Sequence, residues 1–369
     1  MGLTDASFAP VPGRIHGGVD ATGAAEFDFS TNSNAVGPCS EVVAALQQTD
    51  ASRYPDPAYP ALRESLAAWH GVTPARVVLA ASASEFIFRF TAWMVQQGAR
   101  RVWLPQHAYG DYAAAAQAWD LMAVGRPAQA QLAWACDPSS PLGQDHEEWA
   151  GVPLAFAAGA VAKASPLNPV WVLDRAYAPL RLSGQPALST AQLDAVWQLF
   201  TPNKALGLTG VRAAYAIAPN TAEGLAAVSG LGRLCPSWPV GSHGVTMLQA
   251  WTTPSVQQWL AQSLDTLRTW KLRQWALCEQ LGWVCTPSHA NFFVAQPNAA
   301  KGVREGAGEG TAEILQASTR ALPARLAVMR GYGVKLRDAA SFGLPGRVRL
   351  AVLPPPAQDA LAQAWQQQA

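Results

Sequence analysis

Six short apolar runs of strand length recur along the first part of this chain. They are RVVLA (76–80), RVWLP (101–105), LAWAC (132–136), VWVLD (170–174), VWQLF (196–200) and AAYAIA (213–218). A run that is apolar at nearly every position, not at alternate ones, has both faces covered, as in a parallel sheet sandwiched by helices. Between the runs lie segments with helical spacing, such as YPALRESLAAWHG, closed by Gly71, and SEFIFRFTAWMVQQG, ending at Gly98. That alternation predicts a layered α/β fold with a mostly parallel central sheet.

The pattern changes near Pro254. A long helix (SVQQWLAQSLDTLRTWKLRQWALCEQLG) is followed by the strands WVCTP and NFFVAQ, the helix AEILQASTRALPARLAVMRG, the strand RVRLAV and a last helix. This reads as a second, smaller α+β unit. Residues 1–35 are rich in Gly, Pro, Asn and Ser and read as an extended arm. A chain of 369 residues exceeds one ordinary core. The expected division is an arm with part of the small unit (1–45), a large unit (46–253) and a small unit (254–369). REGAGEGTAE (304–313) has no strand feeding it and carries acids that would repel phosphate, so it reads as a loop and not as a dinucleotide fingerprint.

Composition removes several functions. A net charge of +1 argues against nucleic acid or an anionic membrane as the main partner. The most apolar stretch, VPLAFAAGAVAKA, is too short to span a bilayer, and the N-terminus lacks the basic-then-apolar pattern of a signal peptide. Five scattered cysteines without CxxC spacing fit reduced thiols in the cytoplasm. Six dispersed histidines, none paired at i, i+4, offer no metal site. The fifteen tryptophans read as core and interface bulk.

Sites on open α/β sheets gather at the carboxyl ends of strands. VWVLD ends in Asp174. VWQLF runs into TPNKALGLTGVR, which holds Thr201, Lys204 (one of only five lysines) and Arg212. RVVLA runs into ASASE, a helix start bearing Ala83 and Ser84, and RVWLP into QHAYGDY, with Tyr109 and Tyr112. An acid, a lysine, an anion-ready helix start and an aromatic ring on one rim describe a pocket for pyridoxal 5'-phosphate. A lysine amine forms a Schiff base with the cofactor aldehyde. A carboxylate keeps the pyridine nitrogen protonated, and a stacked ring fixes the tilt. A helix N-terminus, hydroxyls and an arginine hold the phosphate.

HGG (16–18), FDFSTNSN, RYPDP (53–57), SASE, AYGDY, LDRAY, TPNKALGLTGVRAAY and LRDAASFGLPGRVRL follow one another over almost the whole chain. In their order and spacing the sequence resembles the fold-type I pyridoxal-phosphate enzymes, aminotransferase class I/II. It is most similar to the branch of histidinol-phosphate aminotransferase and threonine-phosphate decarboxylase. The resemblance implies that Lys204 binds the cofactor and moves the proton, that Asp174 pairs with the pyridine nitrogen, and that Tyr109 stacks on the ring. It further implies Tyr177 on the ring oxygen, and Ala83, Ser84, Thr201 and Arg212 on the phosphate. Tyr54 matches a tyrosine that reaches the phosphate from a partner subunit, implying a homodimer. Arg349 matches the arginine that grips a substrate carboxylate or phosphate. Arg337, beside it, is a candidate for a second anionic group or for a surface ion pair with Asp338. His16, Arg14 and Asn34 on the arm are candidates to close over a substrate phosphate, or to cap backbone in that loop.

The chain departs from the family's motifs at three places. DPSSPLG (137–143) puts Ser140 where relatives carry an asparagine that donates to the ring oxygen. Arg175 replaces an acid next to Asp174, and Pro202 removes a backbone donor before the lysine. The leading expectation is an aminotransferase working on an amino acid, phosphorylated or not, and a 2-oxo acid. HGG and RDAASFGLPG lean towards the alternative, decarboxylation of a phosphorylated amino acid as in cobalamin biosynthesis. A third reading, motivated by Ser140 and Arg175, is a non-catalytic paralogue that binds the cofactor.

Overall fold

The structure, a computed structural model, describes residues 16–146, 169–297 and 309–367. The six apolar runs all form strands of one seven-stranded sheet. After a short strand β1 (Phe27–Asp28), these are β2 (Val77–Ala80), β3 (Arg101–Trp103), β4 (Met122–Val124), β5 (Leu132–Cys136), β6 (Val170–Asp174), β7 (Trp197–Phe200) and β8 (Ala214–Ile217). Their spatial order is β2-β8-β7-β6-β5-β3-β4, and every pair is parallel except those made by β8. The unforeseen strand, β4, lies at the sheet edge, where Met122 is 61% exposed, so it lacks the buried-run signature.

Helices cover both faces. They are α1 (Ser40–Gln47), α2 (Pro60–His70), α3 (Ala83–Gln96), α4 (Gly110–Ala118), α5 (Thr190–Leu193), α6 (Ala222–Arg233) and α7 (Ser242–Trp251). Alternate strand residues point to opposite faces, and the two cores divide accordingly. Val78, Ala80, Ala214 and Ala216 pack with Phe86, Phe90 and Trp93 of α3 and Leu231 of α6. Val77, Leu79, Tyr215 and Ile217 pack with Leu66 of α2 and Leu248 and Trp251 of α7.

The long helix α8 (Pro254–Gln280) leads into β9 (Val284–Thr286) and β10 (Phe292–Gln296). After them come α9 (Glu309–Gly331), β11 (Val334–Lys335), β12 (Arg337–Asp338), β13 (Val348–Ala351) and α10 (Pro355–Gln366). The strands β12-β13-β10-β9 form an antiparallel sheet, and β1 pairs in parallel with β11. Phe29, Cys278, Phe293, Met329, Leu350 and Trp365 are buried in one cluster there. The loop expected at 304–313 gives way to α9 from Glu309 onward, and its preceding residues, like VPLAFAAGAVAKA and Arg14, lie outside the described residues.

One buried pair in the large sheet's core sets a pH limit. His70 Nε2 is 2.9 Å from the Tyr215 hydroxyl, and its ring packs on Phe200 at 4.6 Å. Burial, then the nearby Arg175 charge, lowers its pKa to about 4. The unfolded chain takes up that proton near pH 6.5. The native contribution is therefore complete above about 6.5 and is lost as pH falls towards 4. Urea unfolding of wild type should lose about 3 kcal/mol across that window relative to His70→Gln; parallel curves for the two proteins would contradict this.

Candidate active site

Buried strands deliver the site's residues from their carboxyl ends. Asp174 closes β6, in register with Cys136 of β5 and Leu199 of β7. It is 4% exposed, accepts the Tyr112 hydroxyl proton on Oδ2 at 2.8 Å and the Ala176 N–H on Oδ1 at 2.9 Å. Burial raises its pKa, and the Lys204 charge and the two hydrogen bonds oppose that rise. Tyr112 is held flat against Trp134, with ring centroids 5.1 Å apart.

Lys204 sits in the turn after β7. Its carbonyl accepts from Asn34 N–H at 2.9 Å and Ser33 Oγ at 3.3 Å, so the arm is laid across the lysine's backbone. Gly207, at φ +71°, makes that approach possible, because a Cβ there would lie 3.0 Å from Pro38 Cα. The Lys204 amine lies 5.5 Å from the Tyr177 ring centroid and donates no hydrogen bond among the described residues. Tyr177, 8% exposed, packs edge-on to Phe292 at 4.8 Å.

The phosphate side is built from donors without acceptors. Ala83 and Ser84 open α3, behind an N-cap Ser82 whose side chain accepts from Glu85 N–H. Their N–H groups fall in the first turn, where no intrahelical acceptor exists. Thr201 Oγ1 is buried without a partner, and the Arg212 guanidinium is exposed and donates no hydrogen bond among the described residues. Tyr109 donates to Asp111 Oδ2 at 2.8 Å and faces Ser84 Oγ at 3.1 Å, which fixes its ring above this helix start. Burial chiefly pushes its hydroxyl pKa up.

Arg349 comes from β13. It is 7% exposed, donates from Nη2 to Ser30 O at 2.9 Å and approaches Ser140 Oγ from Nη1 at 3.5 Å. Its Nε is buried without a partner. Arg337 stands across from it in the β12–β13 register and donates to the Asp338 carbonyl at 3.0 Å. It is 4% exposed, and the neighbouring Arg349 and Asp338 charges both act on it.

Asn34 is committed to the chain itself: Nδ2 donates to Ala205 O (3.0 Å) and Ser263 Oγ (2.8 Å), and Oδ1 accepts from Val36 N–H. The arm asparagine at the site is instead Asn32, 3% exposed, whose Nδ2 is 3.5 Å from the Tyr177 hydroxyl and whose Oδ1 has no partner. Arg175 turns away from Asp174, bonding Gln198 Oε1 at 2.8 Å and covering the Phe200 ring at 5.2 Å. His16 lies 6.3 Å from the Tyr109 ring, placed by Gly17, whose missing Cβ would fall 2.2 Å from Ser30 O. Tyr54 is 78% exposed and stacks on Trp238 at 4.5 Å, with no contact to the other site residues among those described. No group of three or more His, Cys, Asp or Glu side chains suited to a metal occurs among the described residues.

The family model for aminotransferase class I and II matches residues 25–148 and 159–364. The chain belongs to that family. Its fold is the fold-type I architecture and its cofactor is pyridoxal 5'-phosphate, as the sequence led us to expect. Among this family, it is 25% identical over 376 residues to histidinol-phosphate aminotransferase of Ruegeria pomeroyi, covering 94% of this chain and 93% of the relative. It is 27% identical over 302 residues to histidinol-phosphate aminotransferase 2 of Caulobacter vibrioides, covering 75% of each. Histidinol-phosphate aminotransferase from Sinorhizobium meliloti, solved with pyridoxal-5'-phosphate, superposes with a TM-score of 0.70 at 20% identity, over 92% of this chain and 90% of that one. L-threonine-O-3-phosphate decarboxylase from Porphyromonas gingivalis superposes at 0.68 and 16% identity, over 92% and 98%.

The site fits the cofactor on its own geometry. A dianionic phosphate would satisfy the orphaned Thr201 hydroxyl and the free N–H groups of α3 together. A protonated ring nitrogen would relieve the buried Asp174 carboxylate. As an aminotransferase, the chain is an enzyme, and the departure at Arg175 does not reach the cofactor's acid. No helix among the described residues is long and apolar enough to cross a membrane.

Proposed function

We propose that this aminotransferase takes the amino group from an amino acid carrying a second anionic group and passes it to a 2-oxo acid. The observation that carries the reading is an unbonded lysine amine that acts on the buried Asp174 carboxylate and lies against Tyr177, which in turn faces a buried arginine with an unpaired Nε. When bound, pyridoxal phosphate supplies an aldehyde for the amine and a ring that accepts the electrons of a breaking Cα–H bond. Asp174 keeps the ring nitrogen protonated, and Tyr112 holds that carboxylate in place. Lys204 Nζ moves the proton from the substrate Cα. Ala83, Ser84, Thr201 and Arg212 bind the phosphate, Tyr109 covers the ring, and Tyr177 with Asn32 or Ser140 addresses the ring oxygen. Arg349 orients the substrate carboxylate, with Arg337 at the second anion. His16 borders the entrance.

Purified protein should carry a visible chromophore that an amino donor bleaches to the amine form and a 2-oxo acid restores. A full panel of amino acids, phosphorylated ones included, without any bleaching would refute the transfer. Arg349→Gln should raise KM for the donor at least about tenfold, through loss of a charge-assisted hydrogen bond; steady-state kinetics checks it.

The side-by-side arginines also favour a second reading, decarboxylation of a phosphorylated amino acid. Release of carbon dioxide from threonine phosphate, with no transfer to a 2-oxo acid, would decide for it. The exposed Tyr54–Trp238 stack supports a homodimer in which Tyr54 reaches the partner's phosphate site; a monomeric mass in solution would contradict this. Five free cysteines support a reducing, cytoplasmic setting. The division at 1–45, 46–253 and 254–369 belongs to the same proposal.

A further inference from the structure

Arg337 and Arg349 are direct partners across β12 and β13, so their side chains leave the sheet on one face. Their guanidiniums share a single ring, with Cζ atoms 4.8 Å and 5.3 Å from the Phe342 centroid. Phe342 ends a tight turn, Ala340–Phe342, whose Ser341 hydroxyl accepts from Arg337 Nη2 at 2.7 Å. The turn is itself held from the other sheet. His107, two residues before Tyr109 on the loop between β3 and α4, meets the Phe342 carbonyl with Nδ1 at 2.7 Å. A carbonyl can only accept, so Nδ1 carries the proton. Gly343 follows the turn at φ +77°, a backbone conformation that side chains rarely adopt.

We propose that His107 is a positioning residue for substrate. By pinning the Phe342 carbonyl to the Tyr109 loop, it fixes the phenyl ring that both arginines rest on and so sets how they grip two negative groups. The inference rests on the aminotransferase reading above and adds a residue whose side chain contacts Phe342, not the reacting atoms. Without the pin, Phe342 keeps its apolar packing with Leu142, Val294, Ala339 and Leu344, but the turn loses its hydrogen bond to the Tyr109 loop and the ring shifts against the two guanidiniums.

The test uses cofactor-loaded wild type, His107→Ala and His107→Asn, whose amide nitrogen lies near the Nδ1 position and can donate. Calorimetry measures binding of succinate, a dianion, and butyrate, a monoanion of equal chain length; neither needs turnover. In His107→Ala, succinate should bind about tenfold more weakly, the loss expected of one buried hydrogen bond. Butyrate binding and the chromophore spectrum should stay as in wild type. With the amino donor found in the panel, KM should rise by a similar factor while kcat stays nearly constant, and His107→Asn should recover most of both losses. Unchanged succinate binding in His107→Ala overturns the proposal. So does a joint loss of succinate, butyrate and chromophore, a failure of Asn to rescue, or wild type that does not discriminate succinate from butyrate. If the calorimetry behaves as expected while no donor is ever converted, the aminotransferase reading fails and the pin stands.

Discussion

Lys204→Ala should lower turnover by about four orders of magnitude or more, the joint loss of nucleophile and proton carrier. It should leave the fold intact. The lysine's structural contacts are made by its carbonyl, which alanine keeps, and its amine donates no hydrogen bond to be lost. Among the described residues, the other two lysines are engaged elsewhere. Lys271 donates to the Ser288 and Ala290 carbonyls, and Lys335 is paired with Asp20 at 2.7 Å. The checks are single-turnover kinetics, a melting curve matching wild type, and loss of the covalent adduct on borohydride reduction. Substantial turnover in the variant would place the chemistry elsewhere.

The second large effect is that of Asp174→Asn. An amide cannot keep the ring nitrogen protonated, and turnover should fall by about three orders of magnitude, the scale of a lost charge at the reacting group. Stability should move the other way. Burial raises the Asp174 pKa, so the cofactor-free fold takes up this proton at higher pH than the unfolded chain does. Its stability therefore declines as pH rises from about 3.8 through the raised pKa, because the charged form is penalised when folded. A neutral asparagine escapes that penalty. At neutral pH the cofactor-free variant should be at least as stable as cofactor-free wild type, while gaining less from added pyridoxal phosphate. Paired thermal melts with and without cofactor would show this, and equal gains in both proteins would count against Asp174 as the ring-nitrogen partner.

Some of this site was readable because its residues end buried strands. Asp174 follows four apolar residues, and Thr201 and Lys204 follow VWQLF, so a strand's period carries them to one rim whatever the rest of the chain does. Tyr112 was visible as a second ring on the rim but its bond to Asp174 was not, and Asn32 and His107 were not readable. Tyr112 acts on Asp174 from 62 residues away, Asn32 sits in a polar stretch with nothing to separate it from Asn34, and His107 finds its acceptor 235 residues on. Arg175 was visible as a departure from the motif, yet its bond to Gln198 and its place over Phe200 depend on where the chain turns after β6.

From its own pattern the chain determined a layered α/β fold, the strands that feed the site, and the lysine and acid that suit a pyridoxal enzyme. Apolar periodicity and chemical type are local properties, so they survive without coordinates. Only the tertiary structure decided which asparagine faces Tyr177, that Arg337 and Arg349 share a face and the Phe342 ring, and that a histidine on a loop of one sheet bonds a turn on the other. Those choices depend on the directions in which separate segments meet, and a direction is fixed by packing between them, not by the order of residues within either.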